Sequence, residues 1–155
     1  MTSQLKQFVE DLGNTLDLDL DINEFGTCMT EIATDVNVMI AHDEEAGYFY
    51  IETEIGEIPG GRYREQLLER ALMSNGLPPP HYGTFGYLPE DDKLILHEIV
   101  PSKDFNTQMV AEIMEPYSEK AKTWIDAVQN AVLPVVEAPK KSDKGKGFFG
   151  GGLKL

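Results

Sequence analysis

Apolar and polar positions alternate along this chain with two different periods, and the switches between them mark its elements. Leu5, Phe8, Val9, Leu12 and Leu16 recur every three or four residues, so they line one side of an amphipathic helix that Gly13 weakens near its end. From Cys28 the period becomes two. Val36, Val38 and Ile40 alternate with Asn37, Met39 and Ala41, the polar run "HDEEAG" (42–47) makes a turn, and "YFYIETEIG" resumes with Phe49, Ile51 and Ile55 on one face. Tyr48, Tyr50, Glu52 and Glu54 take the other face, which predicts a hairpin buried on one side and solvated on the other.

"IPGG" (58–61) ends that sheet segment, and "RYREQLLERALMSNG" predicts a second helix with Tyr63, Leu67, Leu68, Ala71 and Leu72 inward and Gly76 as its stop. "HYGTFGYL" (81–88) and "KLILHEIV" (93–100) predict another strand pair across "PEDD", with bends or close backbone approach at Gly83 and Gly86. A last helix is expected from near Asp104, carrying Phe105, Met109, Ile113, Tyr117, Ala121, Trp124, Val128 and Val132. Pro116 should kink or break it, because proline removes one intrahelical bond and crowds the preceding turn. The expected class is α+β, in the order α-βββ-α-ββ-α, with an antiparallel twisted sheet packed by helices. Residues 1–133 form one domain and 134–155 a flexible Lys/Gly-rich tail without periodicity.

Charge changes this picture most. The chain carries −14 overall, yet residues 134–155 hold five lysines against Glu137 and Asp143, so the first 133 residues carry −17. Such a body repels phosphates and anionic lipid, which argues against nucleic acid or membrane as partners and favours basic ones. Cys28 is the sole cysteine, no basic-then-apolar leader precedes the first helix, and no apolar run approaches the roughly 20 residues of a membrane span. A soluble protein of a reducing cytoplasm is expected.

Candidate chemistry is thin. "LDLDLDIN" (16–23) sets Asp17, Asp19, Asp21 and Asn23 in the cadence of a calcium loop. Read from Asp17, however, the glycine position is Ile22 and the closing glutamate position is Cys28; read from Asp19 they are Glu24 and Thr30. The acids fit a solvated face better than a metal site. His42, His81 and His97 lack a second ligand at helical or strand spacing, and Cys28 fits a small buried hydrophobe better than a nucleophile. Phosphate-loop and dinucleotide motifs are absent. No catalytic constellation, cofactor or metal is expected.

Taken in series, "FGTCMTEI", "VNVMIAHDEEAGYFYIETEIGEIP", "YREQLLERALMSNG", "GTFGYLPEDDKLILHEIVP" and the closing "KAKTWIDAV" resemble the class I type III secretion chaperones of the CesT type, the Tir chaperone family. The likeness covers about residues 3–133. It implies a homodimer in the bacterial cytoplasm that binds the non-globular N-terminal segment of secreted effector proteins and keeps it export-ready. It extends the partner list to the secretion-apparatus ATPase. The second helix and the strand after it make the dimer seam in that family, and Leu67, Ala71, Tyr82, Phe85 and Tyr87 match those positions. Pro116 and the Lys/Gly-rich tail depart from the family pattern. A non-secretion adaptor of the same fold, binding a folded partner, is the main alternative.

Holding an unfolded segment requires a sheet edge for backbone bonding and pockets for alternate apolar side chains. Leu5, Phe8, Leu12, Met29, Val38 and Met39 are candidates for that surface, and the same residues fit a core equally well. Two readings of the tail also stay open: a disordered solubiliser, or a basic segment whose "FF" or "LKL" occupies a patch on the acidic body until substrate displaces it.

Overall fold

The computed structural model of the protein describes residues 3–17 and 20–136. Its elements follow the expected order: α1 (Ser3–Leu16), β1 (Thr27–Ala33), β2 (Val36–Asp43), β3 (Tyr48–Glu57), α2 (Arg62–Asn75), β4 (Thr84–Leu88), β5 (Lys93–Pro101) and α3 (Thr107–Gln129). The strands form one antiparallel five-stranded sheet ordered β1-β2-β3-β5-β4, so β1 and β4 are its edges. Period-two alternation is visible in β3, where Phe49, Ile51, Thr53 and Ile55 are buried while the residues between them reach solvent to varying degrees.

The buried face of the sheet is covered by α3, which packs on β3 and reaches β1 and β2; α1 packs on α3, and α2 packs beside β4. Phe8 of α1 meets Phe49 and Phe105, whose rings stack with centroids 3.8 Å apart, so this end of the core is an aromatic cluster. Tyr117 is buried deeper, where its hydroxyl donates to the Leu96 carbonyl at 3.0 Å and lies 3.1 Å from Thr53 Oγ1. Burial pushes that phenol well above its ordinary pKa.

Pro116 neither breaks α3 nor interrupts its stripe. Val110, Met114, Tyr117, Ala121, Trp124 and Val128 are all buried, at alternating intervals of four and three. Packing along that seam holds the helix through the one bond that proline lacks. The upstream part of the expected stripe is corrected accordingly: Phe105 precedes the helix, whose N-cap is Asn106 accepting from the Met109 N–H at 2.8 Å, and Val110 and Met114 take the places expected of Met109 and Ile113. Leu72 also differs from expectation, being 71% exposed on α2. Beyond α3 the chain remains packed for longer than expected. Tyr63 shares its hydroxyl proton between the carbonyls of Ala127 and Val132, Arg70 donates to the Pro134 carbonyl, and Leu133 and Val136 rest against the core. Most of the expected tail, residues 137–155, lies outside the described residues.

Candidate functional site

The residues with latent chemistry are built into the structure as packing and turn elements. Cys28 is fully buried in β1, and burial, with Asp21 nearby, raises its thiol pKa, the opposite of the shift that activates a thiol. His42 stacks on Phe49 with Nε2 3.0 Å from Ser102 Oγ, and His97 stacks near Tyr50. Asn23, the last oxygen donor of the supposed calcium loop, instead caps a turn: its Oδ1 accepts from the N–H of Phe25 and from both the N–H and the hydroxyl of Thr27. Among the described residues no group of three or more His, Cys, Asp or Glu side chains could hold a metal ion. Asp19 lies outside them.

What remains is surface, and the sheet's two edges differ. Beside β4, the Asn75 side chain at the end of α2 accepts from the Phe85 N–H at 2.8 Å and donates to the Phe85 carbonyl at 3.0 Å, as a neighbouring strand would. Just before β4, the Gly83 N–H donates to Glu98 Oε2 at 2.8 Å and its carbonyl accepts from Lys120 Nζ at 2.9 Å. That Lys120 amine also sits 4.9 Å from the centroid of the Phe85 ring. Burial raises the Glu98 pKa and lowers that of Lys120, each opposed by the other's charge. This edge is therefore largely closed by side chains.

The β1 edge is open. Beyond its pairing with β2, β1 makes one isolated antiparallel bridge, Ile22 to Cys28. From Met29 to Ala33 no further strand pairs with it among the described residues. The sheet face away from the helices carries a cross-strand row of Met29, Met39, Glu52, His97 and Thr84, and a second row of Thr27, Ala41, Tyr50 and Ile99. Met29 is 54% and Ile99 53% exposed, and Phe25, at the turn leading into β1, is 81% exposed. Glu31, Glu52 and Glu54 lie among these apolar side chains, with Tyr50 donating to Glu52 at 2.6 Å.

Against this surface the expected contact residues divide. Met29 and Met39 stand on the outer face beside the open edge, whereas Leu5, Phe8, Leu12 and Val38 are buried in the core. The expected seam residues divide as well. Leu67, Ala71 and Phe85 are buried within the protomer, Tyr82 and Tyr87 are half-buried, and the exposed apolar side chains on the same elements are Leu72, Met73 and Leu88. Phe25, Leu72, Met73 and Leu88 were legible only as apolar letters, since neither period says which side of a stripe ends in solvent.

The described residues thus form a single-layer antiparallel sheet with helices packed on one face and a first strand that, among those residues, is paired on one side from Met29 onward. The Tir chaperone protein (CesT) family profile matches residues 7–125, and the chain belongs to that family. No curated protein sequence matches it. Among solved structures, it is similar to a chain in the complex of the Yersinia pestis type III secretion chaperone SycH with a stable fragment of YscM2. That match has a TM-score of 0.61 and 19% identity, covering 77% of this chain and 98% of that one. A chain of the HopA1–SchA chaperone–effector complex matches with a TM-score of 0.63 at 16% identity, covering 80% and 94%. A chain of the ExoT–SpcS complex from Pseudomonas aeruginosa matches with a TM-score of 0.59 at 14% identity, covering 79% and 97%. The α+β fold and its element order are thus those of the type III secretion chaperones.

Proposed function

We propose that this chain is a type III secretion chaperone that binds the non-globular N-terminal segment of one or more secreted effectors. It would do so as a homodimer in the bacterial cytoplasm, without a cofactor and without catalysis, before delivery to the secretion-apparatus ATPase. The observation that carries the reading is the open β1 edge beside Met29 and Met39, on a chain of this family. An extended segment laid along Met29–Ala33 satisfies backbone groups that have no second strand partner among the described residues, and adaptable methionines accept its varied apolar side chains. Glu31 and Glu52 favour basic residues in the same segment. Ordering such a segment costs a few kcal/mol, so the contact must be long, and the two rows of the outer face provide length.

Leu5, Phe8, Leu12 and Val38 are buried in the core, so the proposed contact surface rests on Met29 and Met39. For the dimer, Leu72, Met73 and Leu88 supply the exposed apolar patch, with Tyr82 and Tyr87 at its margin. The test is co-purification from the native bacterium with light scattering on the isolated chain. A species of twice 17.3 kDa that retains partners through their first ~100 residues supports the reading. A monomer that captures only folded partners overturns it in favour of an adaptor.

A further inference from the structure

The sheet is split on its acidic side. The β2–β3 ladder ends at the pair Met39–Glu52, although β2 begins three residues earlier at Val36 and β3 continues to Glu57. In that gap lies an opening of about 580 Å³. Met29, Met39 and Ile125 supply its apolar lining and Asp35, Glu52 and Glu54 its carboxylates; no basic side chain lines it. Asp35 and Glu54 have lysine partners on the rim, Lys122 at 3.7 Å and Lys93 at 3.2 Å, but all four side chains are substantially exposed, so these pairs are weak. The cleft suits an extended segment carrying apolar and basic side chains.

We propose that its occupant in the free protein is this chain's own C-terminal segment, residues 140–155, with Phe148 and Phe149 in the cleft. Charge complementarity is the first argument. That segment holds five lysines against Asp143 alone, and the body it belongs to carries −17. Reach is the second. Val136, the last described residue, lines an opening together with Trp124, whereas Ile125, the next residue on α3, lines the cleft, so one turn of α3 borders both the point of departure and the destination. Phe148 follows Val136 by twelve residues. A random coil of twelve residues has an r.m.s. span of about 20 Å and any chain of that length a limit of about 40 Å, against a helix diameter of about 10 Å. Tethering at this range gives an effective concentration on the order of 1 mM, so even a contact with a Kd near ~0.1 mM is about nine-tenths occupied. A substrate competing for Met29 and Met39 would then bind roughly tenfold more weakly to the full chain.

The occupancy itself is independent of the chaperone reading and is tested without any substrate. Full-length protein is labelled at its methionine methyl groups, and its NMR spectrum is compared with that of the Phe148→Ser/Phe149→Ser variant. Displacement of the Met29 and Met39 signals with those of Met109 and Met114 unmoved, weakened in wild type by 0.5 M salt, supports the proposal. Coincident spectra overturn it. Mixing the labelled variant with unlabelled wild type separates the source: recovery of the wild-type Met29 and Met39 positions assigns the occupant to a second copy and overturns the assignment to the same chain.

Discussion

Asn75 serves as a strand partner for Phe85: one side-chain amide closes both the N–H and the carbonyl of a residue on the sheet's edge. The contact joins the end of α2 to the middle of β4, and it makes the two edges of the sheet unequal. Edges that bind are the ones left open. Among the described residues the open edge is β1, and the β4 edge presents fewer free backbone groups.

Replacing Asn75 with alanine leaves two edge groups of Phe85 without their partner, one of them facing a crowded helix end. The expected loss is about 1–3 kcal/mol, a fall in Tm of several degrees for a chain of this size. Asn75→Asp should lose less, because it keeps the acceptor for the Phe85 N–H while losing the donor. Thermal and urea unfolding of the three proteins measure it. Equal stability of wild type and N75A would show that water replaces the amide without cost.

Gly83 is the second closure. Its φ of +91 belongs to the left-handed side of the backbone map, and a Cβ added there would lie 2.7 Å from Leu96 Cγ. Gly83→Ala therefore combines backbone strain with overpacking of a fully buried leucine, and the expected cost is roughly 2–4 kcal/mol. Gly47→Ala shares the positive φ but meets no atom within 4 Å, so it isolates the strain alone and should cost clearly less.

These two closures also show what sequence could and could not tell. The helices and strands were legible because their apolar residues repeat at 3.6 or at two, and a repeat survives whatever it packs against. The faces were less legible. On β4, Phe85 is buried and Tyr87 half-buried while Thr84 and Leu88 are exposed, so a seam matched by element and not by face takes inward side chains. On α2, a stripe that includes Leu67, Leu68, Ala71 and Leu72 does not say where the covered sector stops, and it stops before Leu72. Asn75 and Lys120 were invisible, since each acts on backbone brought near only by the fold. The placement of β5 between β3 and β4 is likewise a long-range choice with no local signature.

Glu98 predicts an unusual pH dependence. Burial raises its pKa above the ordinary carboxylate value, against the Gly83 N–H and the charges of His97, Lys120 and His81 that face it. A raised pKa means that the folded state holds this proton more tightly than the unfolded one. Its contribution to stability is therefore complete below the unfolded pKa and is lost as pH rises through the folded pKa. Glu98→Gln keeps an acceptor for Gly83 and cannot ionise. The stability of E98Q relative to wild type should thus be higher at pH 7 than at pH 4, in urea titrations at both. An unchanged difference would mean that Lys120 fully compensates the buried charge.

The apolar patch on α2 gives the last prediction. Leu72 is 71% and Met73 50% exposed on α2, which packs beside β4, and Leu88 is exposed on β4 itself. A stable dimer buries about 800 Å² per partner, more than these three side chains alone, so the seam proposed above takes in the half-buried Tyr82 and Tyr87 as well. In a two-fold arrangement Leu72→Asp sets a charge near its own copy and removes apolar area on both sides at once. The variant should fold normally, because Leu72 contributes little to the protomer core, and its dissociation constant should rise by about 100-fold or more, as two such losses of ~1.5 kcal/mol imply. Sedimentation at several concentrations, with circular dichroism as the control for folding, reads both quantities. A variant that remains as dimeric as wild type would place the seam on another face, and the open β1 edge would be the next to examine.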